Sequence, residues 1–210
     1  MRTKEFWHIL AAVIILTAVM SFESLLKQRF SLIAEIFLFS VIVLGLNIVF
    51  KKFVAYLLDS DVEHKTWALS RYGWKPHWKL KNPIPIGIIL PIFFAIFSLG
   101  LLKITSLLTY ETQPLKIRAA KRLGFYSFTE MTEWHNALVG AAGIFILLVI
   151  APIAYLLDFS LLSKIAVFYA FWNLIPLSNL DGSQIFFGSR VLWATLAAIT
   201  LIFTAYTLIL

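Results

Sequence analysis

The 210 residues of the chain are too apolar for a water-soluble domain, because 60% of them are hydrophobic, the mean hydropathy is +0.87, and soluble domains contain about 45–50% apolar residues. The net charge of +7 comes from short basic blocks beside apolar stretches, a pattern that favours a lipid bilayer with anionic headgroups as partner and argues against nucleic acid. Since the chain contains no cysteine, disulfides and thiolate metal ligands are excluded.

The composition predicts an all-α, polytopic integral membrane protein, multi-pass in the cell membrane, with residues 1–210 forming a single membrane domain. Arg2 and Lys4 precede the first apolar stretch, but no convincing signal-peptide cleavage site follows, so this stretch is interpreted as a span. The second stretch stays apolar beyond Lys51 and Lys52, which allows one helix to continue to residue 58. About six apolar segments are expected, at 6–22, 30–50, 83–108, 137–157, 161–175 and 191–210.

The third segment, 83–108, has two alternative paths. It is long enough to cross a bilayer, which favours a complete crossing. Prolines and glycines, among them Pro91 and Gly100, interrupt it and also suit a re-entrant segment. If all six segments cross, ten lysines and arginines lie on the N-terminal side and eight on the other. That difference is too small to assign an orientation by the positive-inside rule.

The stretch 59–82 is polar and mixes cations with aromatic residues such as Trp67, Trp74 and Trp78. This mixture predicts a solvated loop at the membrane interface. Basic residues within 110–132 predict a second segment that lies on the headgroups. The acidic residues and histidines of the first stretch have no recognised metal-ligand spacing. They are Asp61, Glu63, His64 and His77.

A helix break follows the fifth segment, 161–175, which is short for a full crossing at about 1.5 Å per residue. Pro176 has no backbone donor, and turn-forming residues follow it, so the helix should end near Ile175 in a break over 176–182. Irregular backbone at membrane depth is tolerated only where protein buries it or water lines it. The break carries Asp181, which is therefore the centre of the candidate site.

Residues 172–186 resemble the third motif of the site-2 protease family, the peptidase M50-like intramembrane zinc metalloproteases, and particularly their short prokaryotic forms. The family pattern is F-N-L-L-P-x-x-x-L-D-G-x-x-[VI]-F, in which the aspartate is the third zinc ligand. The resemblance implies a site-2-protease-like helical core over most of the chain, with Asp181 as the only retained metal ligand. The matching positions are Asn173, Pro176, Leu180, Asp181, Gly182, Ile185 and Phe186.

The first motif of that family, H-E-x-x-H, is absent from this sequence. In the family, two histidines four residues apart bind zinc and the glutamate activates water. When the motif is matched onto the second segment, Asn47 and Lys51 occupy the histidine positions and Ile48 the glutamate position. The middle motif, A-x-x-G-P-x-x-N, keeps Gly140 but loses its proline and asparagine. Because a catalytic zinc needs three protein ligands and an open position, we expect no metal, cofactor or catalytic residue.

The resemblance and these losses together predict a non-catalytic pseudoprotease that binds transmembrane segments of other proteins. Two alternatives stay open. In the first, the chain is a divergent intramembrane metalloprotease in which His64, His77 or His135 joins Asp181 to hold zinc. In the second, it is a small permease that uses Asp181 as a substrate or ion site.

An ionised carboxylate at membrane depth costs free energy unless it is paired or neutralised. Without zinc, Asp181 needs another cation. Lys51 stands at the position of the second histidine, on the same helical face as Asn47 one turn earlier. We therefore predict a Lys51–Asp181 ion pair with Asn47 as a further hydrogen-bond partner. In the competing interpretation, Lys51 extends to the headgroups and Asp181 is hydrated or protonated.

Overall fold

The computed structural model describes residues 3–71, 79–115 and 131–209. Its helices are α1 (Thr3–Leu26), α2 (Ser31–Leu57), α3 (Ile86–Phe97), α4 (Glu133–Leu156), α5 (Ser160–Leu174), α6 (Asp181–Gly188) and α7 (Arg190–Ile209). Its strands are β1 (Ser60–Thr66), β2 (Leu69–Arg71), β3 (Lys79–Ile84) and β4 (Leu108–Pro114). The described part of the chain is therefore mostly helical, as the composition predicts.

Four of these helices, α1, α2, α4 and α7, are long and apolar enough to cross a membrane. Helix α2 runs for 27 residues, through Lys51 and Lys52, and so takes the longer of the two lengths that the sequence allowed. Helix α5 has only 15 residues, short for the roughly 30 Å of a hydrocarbon core. It ends at Leu174, and Ile175 is extended, which confirms the helix end predicted from Pro176.

Helix α4 lies at the centre of the bundle and packs against α2, α5 and α6. Its small residues allow this packing, as the sequence predicts. A Cβ added at Gly143 would lie 2.6 Å from Lys51 Cε, and one added at Gly140 would lie 2.5 Å from Tyr110 Oη. Aliphatic side chains complete the contact between α2 and α4, with Val43 and Ile144 fully buried. The glycines thus let two polar side chains enter an otherwise apolar core.

The polar stretch 59–82 is not the plain loop expected from the sequence, because β1, β2 and the first part of β3 lie within it. Strand β1 pairs antiparallel with β4, from Ser60 opposite Pro114 to Thr66 opposite Leu108, and β2 pairs with β3. Alternate residues of β1 are buried, including Val62 and His64, where the strand contacts α1 and α2. Tertiary contact therefore creates an alternation of buried and exposed residues that the polarity of the sequence did not reveal. Two parts of the predicted interfacial segments, 72–78 and 116–130, lie outside the described residues.

Segment 83–108 leaves the end of the bundle that carries the strands and returns to the same end. Trp67 anchors both limbs there, because Gly87 N–H donates to Trp67 O at 2.8 Å and Trp67 N–H donates to Leu107 O at 2.9 Å. At the far end of the bundle, Lys103 Nζ lies 3.1 Å from Glu23 Oε2, close to the last residue of α1. The segment is therefore re-entrant, and the crossing that its length favours is wrong.

The length of this segment favoured a crossing, but its two limbs have different conformations. Helix α3 has 12 residues and rises by about 18 Å, whereas the return limb is largely non-helical and covers the distance with fewer residues. As a consequence, α2 and α5 run in the same direction, and their C-terminal ends meet at the end that carries β1 and β4. We call this end the strand end and the opposite one the far end.

The re-entrant path also changes the distribution of charge. Among the described residues, eight lysines and arginines lie toward the strand end and four toward the far end. By the positive-inside rule, we expect the strand end to face the cytoplasm. The eight are Lys4, Lys51, Lys52, Lys65, Arg71, Lys79, Lys81 and Arg190, and the four are Lys27, Arg29, Lys103 and Lys164.

Single-cysteine variants test this path, and the absence of native cysteine means that each variant carries one thiol. Lys81→Cys and Glu111→Cys, at exposed positions before and after the re-entrant segment, should react with a membrane-impermeant thiol reagent from the cytoplasmic side. Lys27→Cys, at the far end, should react only from the opposite side. Reaction of Lys81→Cys and Glu111→Cys from opposite sides would instead establish a crossing.

Candidate functional site

The candidate site forms where the C-terminal half of α2 meets the break between α5 and α6. The chain turns sharply after Ile175, with Ser178 at a positive φ of 51°, and begins α6 at Asp181. Gly182 is essential to this turn, because a Cβ there would overlap Leu174 O. The break thereby brings the Asp181 carboxylate from the end of α5 against the face of α2 that carries Lys51.

Lys51 and Asp181 form a buried ion pair. Lys51 Nζ donates to Asp181 Oδ2 at 2.5 Å, and the two side chains are 1% and 0% exposed. The ring of Tyr110 on β4 covers the ammonium group, with its centroid 4.9 Å from Nζ. The ion pair predicted from the sequence is therefore confirmed, and the interpretation in which Lys51 extends to the headgroups is wrong.

Tyr110 closes the site toward the strands. Its hydroxyl donates to Asn136 O on α4 at 2.7 Å. Burial, followed by the nearby Asp181 carboxylate, raises the pKa of Tyr110 well above its usual value, so the phenol stays neutral and can donate. The pair is thus enclosed by α2, α4, α6 and β4, and bulk water does not reach the carboxylate.

The predicted hydrogen bond from Asn47 to the carboxylate is not formed. Asn47 is buried at 1% exposure and lies beside Gly143, one turn before Lys51. Among the described residues, however, neither Asn47 Nδ2 nor Asp181 Oδ1 has a hydrogen-bond partner. The ammonium group bonds the other carboxylate oxygen, Oδ2, and the shorter Asn47 side chain does not extend as far as lysine does.

The remaining motif residues shape the site and hold the re-entrant segment. Asn173 Nδ2 donates to Tyr169 O at 2.8 Å and to Thr105 O at 3.4 Å. The return limb of the re-entrant segment also donates hydrogen bonds to α5, from Thr105 Oγ1 to Phe168 O at 3.0 Å and from Ser106 Oγ to Trp172 O at 2.9 Å. Leu180 is buried, Pro176 follows the helix end and Gly182 permits the turn. The motif therefore fixes the position of Asp181 by contacts that do not require a metal.

A second polar cluster, which the sequence analysis missed, adjoins the first. Glu5 on α1 accepts from Lys52 Nζ at 2.7 Å and lies 3.1 Å from His64 Nδ1. The pKa of His64 is lowered to about 3. Burial is the largest cause and the Lys51 and Lys52 cations add to it, whereas Glu5 acts in the opposite direction. The imidazole is therefore neutral near pH 7, and Lys52 is the cation that pairs with Glu5. Glu5 was missed because its partners lie about 50 residues or more away in the chain.

Two of the three histidines proposed as recruited zinc ligands, His64 and His135, make their contacts away from Asp181. His64 bonds Glu5, and His135 Nδ1 lies 2.5 Å from Thr132 Oγ1 at the exposed start of α4. His77 lies outside the described residues. Within the ranges that the structure describes, no group of three or more histidine, aspartate and glutamate side chains is placed to hold a metal ion.

A group of polar side chains borders the site along the outer edge of β4, the edge that faces away from β1. Gln184 Nε2 donates to Tyr110 O at 3.0 Å, and Gln184 Oε1 accepts from Asn136 Nδ2 at 2.6 Å. Thr112 Oγ1 donates to Asn136 Oδ1 at 3.0 Å. Because Tyr110 O points outward, the N–H and C=O of Thr112, two residues on, point outward as well. A cavity of about 340 Å³ lies against this edge.

Comparison of the chain with protein-family models, with curated proteins and with solved structures found no match.

The ion pair should show strong energetic coupling. Lys51→Met and Asp181→Leu should each lower the free energy of unfolding by about 3–5 kcal/mol, because each leaves one charge buried and unpaired, whereas the double variant should be close to wild type. Equilibrium unfolding in lipid bicelles measures all four free energies. The matched control is the Lys65–Glu111 pair, which has the same 2.5 Å separation but side chains 39% and 57% exposed.

Coupling in Lys65→Met with Glu111→Leu should not exceed about 1 kcal/mol, because solvent screens an exposed pair. Additive effects of Lys51→Met and Asp181→Leu would contradict a direct interaction within the buried pair.

Gly143 should be required for the packing of α4 over the ion pair. Gly143→Ala should destabilise the protein by about 1–3 kcal/mol, because the new Cβ would overpack against Asn47 Nδ2 and Lys51 Cε, both 2.6 Å away. Gly45→Ala on α2 is the control, since a Cβ there meets no atom within 4 Å and helical alanine is favoured over glycine by about 0.5–1 kcal/mol. Equal stabilities of the two variants in the same unfolding assay would contradict close packing at Gly143.

Proposed function

We propose that this protein is a multi-pass membrane pseudoprotease with a site-2-protease-like core, which has lost zinc and hydrolysis and binds segments of other membrane proteins. The Lys51–Asp181 ion pair carries the proposal. Its ammonium group bonds the one retained family ligand at 2.5 Å, on the residue that matches the second zinc-binding histidine. A cation of the protein thus replaces the metal cation at the same carboxylate.

The chemistry of the site supports a non-catalytic role. Metal-dependent hydrolysis needs a metal with an open coordination position and a base that activates water. Asn47, Ile48 and Lys51 supply neither the two imidazoles nor the carboxylate base. The surviving carboxylate is fully buried and bonded to Lys51, so water has no access to it. In the family, the helices that carry H-E-x-x-H and L-D-G run parallel. The parallel course of α2 and α5, which the re-entrant segment allows, supports the proposal.

The outer edge of β4 supports the binding role. An exposed strand edge can accept an extended peptide as an additional strand, with backbone hydrogen bonds providing affinity and side-chain contacts specificity. Thr112 carries an outward-facing N–H and C=O, and Asn136, Asn179 and Gln184 line the same cavity. A membrane protein segment that unwinds near the strand end would meet this edge directly.

Restoring the zinc ligands tests both the lost activity and the scaffold. The wild-type protein, purified without chelator, should contain no stoichiometric zinc and should not cleave transmembrane peptides. The triple variant Asn47→His, Ile48→Glu and Lys51→His should bind close to one zinc per chain, measured by atomic emission, and Asp181→Asn should abolish that binding. Near-stoichiometric zinc in the wild-type protein would contradict the pseudoprotease proposal.

A shifted motif is the matched control for that experiment. Ile48→His, Val49→Glu and Lys52→His carry the same spacing one residue later, which rotates the histidines by about 100° around α2 and away from Asp181. This variant should bind no zinc through Asp181. If the correctly placed triple variant is folded and also binds none, the proposed site-2-protease-like arrangement of ligands is wrong.

Site-specific crosslinking tests the binding role. A photoreactive benzophenone residue at Gln113, beside the outer edge, should crosslink to other membrane proteins in the native membrane, whereas the same residue at the exposed Lys81 should not. Thr112→Pro removes the outward N–H and should abolish the Gln113 adducts. Adducts that persist in Thr112→Pro would contradict binding by strand addition.

A further inference from the structure

A basic pocket at the far end of the bundle lies apart from the candidate site. It is a cavity of about 340 Å³ where the end of α1 meets the first turns of α2 and α5, with the return limb of the re-entrant segment beside it. The basic residues that line it are Lys27, Arg29, Lys103 and Lys164. Its apolar wall consists of Met20, Leu32, Ile36, Leu161, Ile165 and Phe168.

The charges of the basic pocket are unbalanced. Glu23 is the one carboxylate among its described lining residues, and its two oxygens lie 2.6 Å from Lys27 Nζ and 3.1 Å from Lys103 Nζ. Four cations against one carboxylate leave an excess of three positive charges. In the described part of the chain, Arg29 and Lys164 form no ion pair. The pocket is therefore electrostatically complementary to an anion.

The position of the pocket indicates which kind of anion fits. Lys27 and Arg29 follow directly after α1 and precede α2, two helices long enough to cross the membrane, so these cations lie at headgroup level. The apolar wall continues from there along α2 and α5 toward the membrane interior, as Leu32, Ile36 and Ile165 show. A soluble phosphate matches only the cations, whereas a phosphate ester that carries an acyl chain matches both surfaces.

We propose that the basic pocket is a binding site for one anionic glycerophospholipid. The phosphate lies between Arg29 and Lys164, and an acyl chain follows the wall formed by Leu32 and Ile165. This site differs from the general attraction of basic residues to a charged bilayer, because it combines cations from three separate parts of the chain with a cavity that has an apolar wall. It is independent of the pseudoprotease proposal, since no residue is shared with the site at the strand end.

Lipid titration of the purified protein in a neutral detergent tests the site. Phosphatidylglycerol should bind with one molecule per chain by native mass spectrometry and should raise the unfolding temperature. Phosphatidylcholine, whose headgroup has no net charge, should do neither. Inorganic phosphate and glycerol 3-phosphate distinguish a soluble anion from a lipid. If either stabilises the protein as much as phosphatidylglycerol at equal concentration, the lipid assignment is overturned.

Neutral variants locate the phosphate within the pocket. Arg29→Gln and Lys164→Gln should each weaken phosphatidylglycerol binding by about fivefold, and the double variant by about 25-fold, as expected for basic residues near an anionic headgroup. Lys81→Gln, at an exposed position of the strand end, should leave binding unchanged. Equal unfolding temperatures of all variants in phosphatidylcholine show that each is folded. Unchanged binding in the double variant, or equal loss in Lys81→Gln, would contradict the proposed site.

Discussion

Two opposite charges in an apolar core constrain the arrangement of the helices, because neither can be buried there without the other. Desolvating a lysine and an aspartate is costly, and their attraction offsets that cost only when the geometry is good. The Lys51–Asp181 pair meets this condition through a 2.5 Å contact, the absence of a side chain at Gly143, and a helix break that turns Asp181 toward α2. Each feature lies on a different element, so the pair constrains how α2, α4 and α6 pack.

The same requirement explains why segment 83–108 is re-entrant. For the residues after α5 to meet the last turns of α2, α2 and α5 must end on the same side of the bundle. Between α2 and α5, helix α4 already passes from the strand end to the far end. Segment 83–108 must therefore return to the strand end, where it began. Asn173, Thr105 and Ser106 hold that excursion against α5 with side-chain hydrogen bonds.

Adjacent lysines on α2 serve two separate carboxylates. Successive residues of a helix point about 100° apart, so Lys51 faces Asp181 on α6 while Lys52 faces Glu5 on α1. The second pair, with His64, attaches the start of α1 and strand β1 to the same turn of α2. The strand end is thereby a connected polar layer above an apolar bundle, whereas the cations of the far end line the basic pocket. The two proposals place peptide recognition at one end and lipid recognition at the other.

The sequence by itself determined the membrane character, the helix end before Pro176 and the small-residue face of α4, and it predicted the Lys51–Asp181 pair as one of two alternatives. These follow from local composition, or from the rule that a buried charge needs a partner. Only the tertiary structure decided that residues 83–108 return, because length and apolarity are the same for both paths. It also decided the strands, because the alternation of buried and exposed residues along β1 arises from burial against α1 and α2. It decided as well that Asn47 is buried but does not reach the Asp181 carboxylate. The Glu5 cluster and the basic pocket bring together residues distant in the chain, and no local pattern in the sequence records that proximity.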